Sequence, residues 1–245
     1  MILWGNTPAY IYIMDSPSQT DLQRKIHEKR INIEHTTFFG SRVGRYVVRR
    51  LRKHIQTPLL DAGAGDGSLL KVIRTLPRIS SADLYGVDLV PNAELGIKKG
   101  LVDNLPYKEN TFKTIICTEV LEHLDTPTLT KALQEFYRVL QPGGHLITTF
   151  PFDETLARQT FTCPNCDTSF HRYGHVQSWH SKKAVTSMLK AAGFTIQSLE
   201  ILPLGAVAKI PLLRFIAPLL NKLDNPPGLR KRAITVCQKL SVKNS

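Results

Sequence analysis

Cysteine is scarce in this chain. Four in 245 residues are too few for a disulfide framework, and a chain of this length buries a full core without such staples. No uninterrupted apolar run of membrane-spanning length occurs, which excludes an ordinary transmembrane helix. The nearest candidate, Gly205–Leu223, is broken by Lys209, Pro211, Arg214, Pro218 and Lys222. The opening MILWGNTPAYIYIMDSPSQ lacks a basic n-region and a clean apolar stretch, so no export signal is expected. Met14 offers an alternative start. These absences, with the cysteine usage, lead us to expect a cytoplasmic protein. Aromatic content is only 8%, and no obvious RNA-binding module is present.

Acidic residues are also few, 20 against 32 Lys and Arg, for a formal charge of +12. They are unevenly placed. Residues 21–56 hold ten basic and three acidic side chains, 57–154 nine and thirteen, and 155–245 thirteen and three. The middle is acidic and the flanks are basic. That suits either ordinary cationic helices or an anionic partner near the flanks, such as a phospholipid surface or nucleic acid. With 42% hydrophobic and 21% charged residues, disorder is excluded.

Residues 19–55 read as basic and helical. Val43, Val47, Val48, Leu51 and Ile55 recur at near-helical spacing, and Thr57-Pro58 ends the run. Strands are expected at Leu59–Asp61, Ala82–Asp88, Gly100–Asp103, Phe112–Thr118 and His145–Phe150. Helices are expected at Ser68–Leu76, from Pro91, and at Pro127–Leu140, where Pro142-Gly143-Gly144 provides a stop. This alternation implies a parallel sheet covered on both faces. Beyond Phe150 it lapses into a Cys/His-rich stretch, then helix Ser181–Ala192, strand Phe194–Leu202, an apolar segment and a last strand Ala233–Leu240.

The segment Leu59-Leu60-Asp61-Ala62-Gly63-Ala64-Gly65-Asp66-Gly67 ends a strand, turns on glycines and opens a helix. In an open α/β sheet ligands sit there, beyond the carboxyl ends of the strands. A dinucleotide fingerprint would need glycine at Ser68, and no Gly-Lys-Ser/Thr follows for a P-loop. Carboxylates before and within the loop would repel a pyrophosphate. They suit a cationic ligand without phosphate, and S-adenosylmethionine, with its sulfonium and ammonium, is one. Asp88, ending the second strand, sits where an acid accepts from ribose hydroxyls.

The stretches LLDAGAGDGSLL, LYGVDLVPNAE, GLVDNLPYKENTF, TIICTEVLEHL and RVLQPGGHLITTFP resemble the class I S-adenosylmethionine-dependent methyltransferases, in order and spacing. The resemblance implies an α/β, doubly wound, seven-stranded, mostly parallel sheet. It implies that Gly63, Gly65 and Gly67 approach the cofactor, Asp61 its amine, Asp88 its ribose and Asp103, with Asn104 and Leu105, its adenine. Glu119, at the end of the fourth strand, joins the expected cofactor residues. Lys113 stands where the family commonly has Asp.

Glu122 and His123 follow Glu119, and His123 is a candidate base for a hydroxyl or carbon acceptor. It equally suits a capping or pocket-lining role. The pattern E-x-x-E-H with a later His also resembles the metal site of small-RNA 3′-terminal 2′-O-methyltransferases, which would use Glu119, Glu122, His123 and His175. Cys163-x2-Cys166 followed by His171 and His175 resembles a compact structural zinc site, with a free thiol pair on a substrate lid as the competing reading. His175 also matches a pocket-facing histidine of the family, so it has three claims upon it.

We therefore expect a basic helical cap over 1–55, a cofactor-binding core over 56–154, a Cys/His-rich insertion over 155–180, and a C-terminal helix, lid and last strands over 181–245. The acceptor is expected to be a small molecule or a lipid- or sugar-type compound. RNA methylation, or a cofactor-binding scaffold without catalysis, stands as the alternative. Peripheral membrane contact through 205–223 is compatible with its apolar surface.

Overall fold

The computed structural model describes residues 41–77, 79–162, 164, 167, 169–203, 212, 215 and 230–241. The expectations for 19–40, for Cys163 and Cys166 and for most of 205–223 lie outside the described residues. Among the described residues no helix is long and apolar enough to cross a membrane.

Seven strands form one sheet: β1 (Leu59–Ala62), β2 (Leu84–Asp88), β3 (Ile97–Lys99), β4 (Phe112–Thr118), β5 (Leu140–Pro151), β8 (Thr195–Leu202) and β9 (Arg232–Gln238), in the order β3-β2-β1-β4-β5-β9-β8. The pairs β1–β2, β1–β4, β2–β3 and β4–β5 are parallel, and β9 inserts antiparallel between β5 and β8. Two short strands, β6 (Thr160–Thr162) and β7 (Ser169–His171), pair antiparallel by themselves.

Adjacent strand residues bury into opposite cores, as a two-residue period requires. Leu59, Ile116 and Ile147 join one cluster with Val47, Val48 and Leu51 of helix α1 (Ser41–Leu51) and with Leu69, Leu70 and Ile73 of α2 (Ser68–Ile73). Leu60, Ile115 and Leu146 join another, with Leu129, Leu133 and Phe136 of α3 (Thr126–Val139) and Val185 and Leu189 of α4 (Lys182–Ala191). The sheet is thus covered on both faces. The β1–β4 junction, where the strand order reverses direction, is where such folds bind ligands.

Three local expectations are corrected. The third strand is Ile97–Lys99, three residues earlier than expected, because Ile97 registers with Gly86 and the Gly100 N–H caps Asp88 O at 2.9 Å. Leu101–Asn104 turns instead. The helix expected from Pro91 is a single 3-10 turn, Ala93–Leu95, ended by Gly96 in the left-handed region. Gln141–Gly144 belongs to β5, where the register slips between Phe112 and Thr114.

Helix α3 starts where the sequence provides a cap: Asp125 accepts the Thr128 N–H at 2.9 Å. Asp125→Ala is expected to lower stability by about 1 kcal/mol. A lower urea midpoint with an unchanged slope would show this, and an unmoved midpoint would remove the cap from the account.

Candidate functional site

At the end of β1 the chain turns sharply, and the Gly63 and Ala64 N–H groups both donate to Val87 O, at 2.8 and 3.0 Å. Gly63 has φ +79°, and a Cβ there would overlap the Val120 side chain. Gly65 has φ +53°, and a Cβ there would meet nothing within 4 Å. Of the three expected loop glycines, Gly65 alone faces open space. Gly67 instead lets Leu95 pack beneath the loop.

Asp88, ending β2, braces this turn. It accepts the Gly65 N–H at 2.8 Å and the Val90 N–H at 3.1 Å. Asp61 is 1% exposed, and neither carboxylate oxygen has a hydrogen-bond partner among the described residues. Burial first, then the charges of Asp88 and Asp66, pushes its carboxyl up to about 8. A buried acid left without a partner destabilises a fold. Such an acid, at the strand end beside the glycine turn, suits a cationic group of a bound ligand. The pair Asp61 and Asp88 therefore fits an ammonium- and sulfonium-bearing cofactor and opposes a pyrophosphate.

The expected adenine side is more divided. Leu105 buries its side chain in the core, donates its N–H to Glu135 at 2.8 Å and accepts from Arg138 at 3.2 Å. Its backbone is committed to α3. Asp103 is half-buried and Asn104 exposed, on the turn beyond β3.

Beyond β4 lies a second polar cluster. Glu119 has φ +53°, accepts from Arg232 Nε at 2.8 Å and takes the Thr149 hydroxyl at 3.1 Å. Burial pushes its carboxyl up, and the Arg232 guanidinium opposes that. Glu122, on the 3-10 turn Leu121–His123, is fully buried, and neither carboxylate oxygen has a partner among the described residues. Burial, with the Glu119 charge beside it, holds this carboxyl well above the usual range. Its backbone carbonyl accepts the Val176 and Gln177 N–H groups at 2.8 and 3.1 Å, which fastens the end of the insertion to the turn.

That fastening sets His175 beside His123, ring centroids 5.0 Å apart and edge to face. His123 Nδ1 lies 3.1 Å from Gly174 O. A carbonyl only accepts, so Nδ1 carries the proton and Nε2 the lone pair. His175 Nδ1 lies 2.6 Å from Glu154 Oε2. Ligand atoms of Glu122, His123 and His175 fall within 4.8 Å of one another.

A second triplet, Glu154, His171 and His175, has the same spread. His171 Nδ1 accepts the Tyr173 and His175 N–H groups at 3.3 and 3.0 Å. The ring proton then sits on Nε2, and neither nitrogen offers a lone pair to a metal. Cys163 and Cys166 lie outside the described residues.

Two residues of the cluster escaped the sequence reading. Arg232 lies in the basic run Arg230-Lys231-Arg232, yet it is 6% exposed. Glu154 carried no motif, and only its contact with His175 reveals it. A signal for Arg232 existed in the demand of buried Glu119 for a counter-charge, but spacing does not locate the donor.

Residues 33–199 match the family model described as a methyltransferase domain. The chain is 31% identical over 102 residues to the ubiquinone/menaquinone biosynthesis C-methyltransferase of Brucella canis, a match covering 36% of this chain and 37% of that one. It is 35% identical over 97 residues to the demethylmenaquinone methyltransferase of Chlamydia trachomatis, covering 36% and 42%. The chain thus spans well under two thirds of these relatives' lengths. The 1,6-didemethyltoxoflavin-N1-methyltransferase of Burkholderia thailandensis, solved with 1,6-didemethyltoxoflavin and S-adenosylhomocysteine, shares the fold at a TM-score of 0.58 and 16% identity, over 91% of this chain and 87% of that one. The glycine turn with its two acids, the seven-stranded sheet and the family match converge, and the chain belongs to the methyltransferase-domain family, among the class I S-adenosylmethionine-dependent enzymes.

Proposed function

We propose that this enzyme methylates a small, largely apolar acceptor carrying a hydroxyl, at that oxygen or at the ring carbon it activates. Asp61 carries the cofactor half of this reading, as a buried acid at the end of β1 whose carboxylate has no partner among the described residues. The names of the relatives, makers of ubiquinone and menaquinone, support the acceptor half. S-adenosylmethionine supplies an activated methyl group on sulfur and leaves as the neutral thioether. Asp61 would hold the amine, Asp88 the ribose, and Asp103 with Asn104 the adenine. Gly65 leaves room for the ligand at the turn.

The Glu122–His123–His175 cluster, beyond the end of β4, would handle the acceptor's hydroxyl proton. Alignment of the nucleophile with the methyl group and exclusion of water supply the rest. The RNA reading loses one of its four ligands to Arg232, which occupies Glu119.

The test is transfer of labelled methyl groups into extract from cells lacking this gene, separated into RNA, protein, lipid and small molecules. Label is expected in the small-molecule or lipid fraction. Label in RNA would replace this reading with ribose methylation. Cofactor binding without any transfer would favour a scaffold.

A further inference from the structure

We propose that a polar cleft at the carboxyl end of β5 binds one anionic oxygen group of the acceptor, a carboxylate or a phosphate, through Arg158 and Arg230. The cleft stands on its own geometry, and its assignment to the acceptor rests on the methyltransferase reading.

The cleft holds about 150 Å³ and lies between the end of β5, the 3-10 turn Leu156–Gln159 and the start of β9. An apolar cavity of similar volume holds benzene, so a phosphate group has room. Its charged lining side chains are Asp153, Glu154, Arg158, Arg230, Lys231 and Arg232. Both acids are already engaged. Asp153 accepts from Lys231 Nζ at 3.2 Å, and Glu154 Oε2 lies 2.6 Å from His175 Nδ1. Arg232 is spent on Glu119 at 2.8 Å. Arg158 and Arg230 make no ion pair with a carboxylate among the described residues. The Arg230 guanidinium instead lies over the Tyr173 ring, 5.2 Å from its centroid. Stacking holds a guanidinium by its face and leaves its N–H edge for an anion. With the histidines neutral, four cations against Asp153, Glu154 and the Glu119 behind Arg232 leave one positive charge over.

Backbone contacts fix the frame. The Phe152 N–H donates to Lys231 O at 3.0 Å, which extends the β5–β9 ladder past Pro151 and Arg232. The Arg172 N–H donates to Gln159 O at 2.7 Å and ties the insertion to the turn that carries Arg158. Strands β2, β1, β4 and β5 are parallel, so the cleft lies along the same edge of the sheet as Asp61 and Asp88. Glu154 lines the cleft and meets His175, which sits against His123. An acceptor anchored here by its anion would extend its hydroxyl towards that cluster. Guanidinium forks match the paired oxygens of carboxylate and phosphate. The acids in the same lining oppose a polyanion such as RNA, which follows an unbroken basic track. A small acceptor with one anionic group suits the cleft better.

The experiment titrates the full chain, with and without saturating S-adenosylhomocysteine, by calorimetry at low salt. The probes are phenyl phosphate, benzoate and, as the neutral control, benzyl alcohol. One of the two anions is expected to bind about tenfold or more tightly than benzyl alcohol, and the tighter one names the group. Arg158→Gln/Arg230→Gln should erase that preference, whereas Arg50→Gln, on α1, should keep it. Circular dichroism and S-adenosylhomocysteine affinity, measured on each variant, separate loss of the cleft from loss of the fold. In the labelled-extract assay the methylated product should be retained on an anion exchanger at neutral pH. Equal binding of the three probes would overturn the inference, as would a preference that survives the double variant. Label only in the unretained fraction would overturn the assignment to the acceptor. A uridine oligonucleotide that outbinds phenyl phosphate, and is lost in the double variant, would replace the small acceptor by RNA. Anion binding in a chain that fails to bind S-adenosylhomocysteine would sustain the cleft and sink the functional reading. Methyl transfer without any anion preference would do the opposite.

Discussion

Asp61→Asn is expected to stabilise the ligand-free protein and, in the same variant, to weaken cofactor binding at least tenfold. Both effects follow from one buried group. The Asp61 carboxyl titrates at about 8 in the folded chain against an ordinary 3.8. Between these values the folded state holds a proton that the unfolded state has lost. Stability of the ligand-free chain therefore falls as pH rises from about 4 towards 8, at up to roughly 1.4 kcal/mol per unit. Asparagine has no such proton to bind, so this dependence should vanish and the thermal midpoint near neutrality should rise.

Cofactor binding has the opposite sign. An ammonium pairs with the ionised carboxylate, so wild-type affinity should climb with pH below about 8, and the variant should be flat over that range. Calorimetry with S-adenosylhomocysteine, which keeps the ammonium, measures this directly. A variant with wild-type affinity would show that Asp61 is a buried structural acid and no part of the cofactor site. Stability given up for a ligand-binding group is a familiar trade in enzymes.

Arg232→Leu should produce the largest loss of stability. Its guanidinium lies 2.8 Å from Glu119, and the two side chains are 8% and 12% exposed. Removing one partner of a buried pair strands the other charge, at roughly 3–5 kcal/mol. In a chain of this size that lowers the melting temperature by on the order of 10 °C. Glu119→Leu combined with Arg232→Leu should recover most of the loss, since two apolar groups strand nothing. A single variant losing under about 1 kcal/mol would mean that the pair behaves as though it were on the surface.

The sequence alone determined the strand–helix alternation, the glycine turn and the two acids Asp61 and Asp88. These are local matters. Strand and helix periods, turn residues and the spacing from strand end to helix start are written within a few neighbouring residues. Boundaries were less legible. Whether Gly100–Asp103 or Ile97–Lys99 formed the third strand depended on register with Gly86, which no local pattern encodes.

Only the tertiary structure decided the cluster beyond β4. Glu119 and Arg232 are 113 positions apart, Glu154 and His175 are 21 apart, and His123 and Gly174 are 51 apart. It also divided the expected histidines. His171 spends its lone pair on two backbone N–H groups, whereas His175 is turned towards Glu154 and His123. Side chains with identical chemistry were separated by which backbone group each one met, and that is settled by the packing of distant segments against one sheet. Composition and spacing state which donors and acceptors a chain carries. Burial decides which of them must find a partner, and the fold decides which partner is within reach.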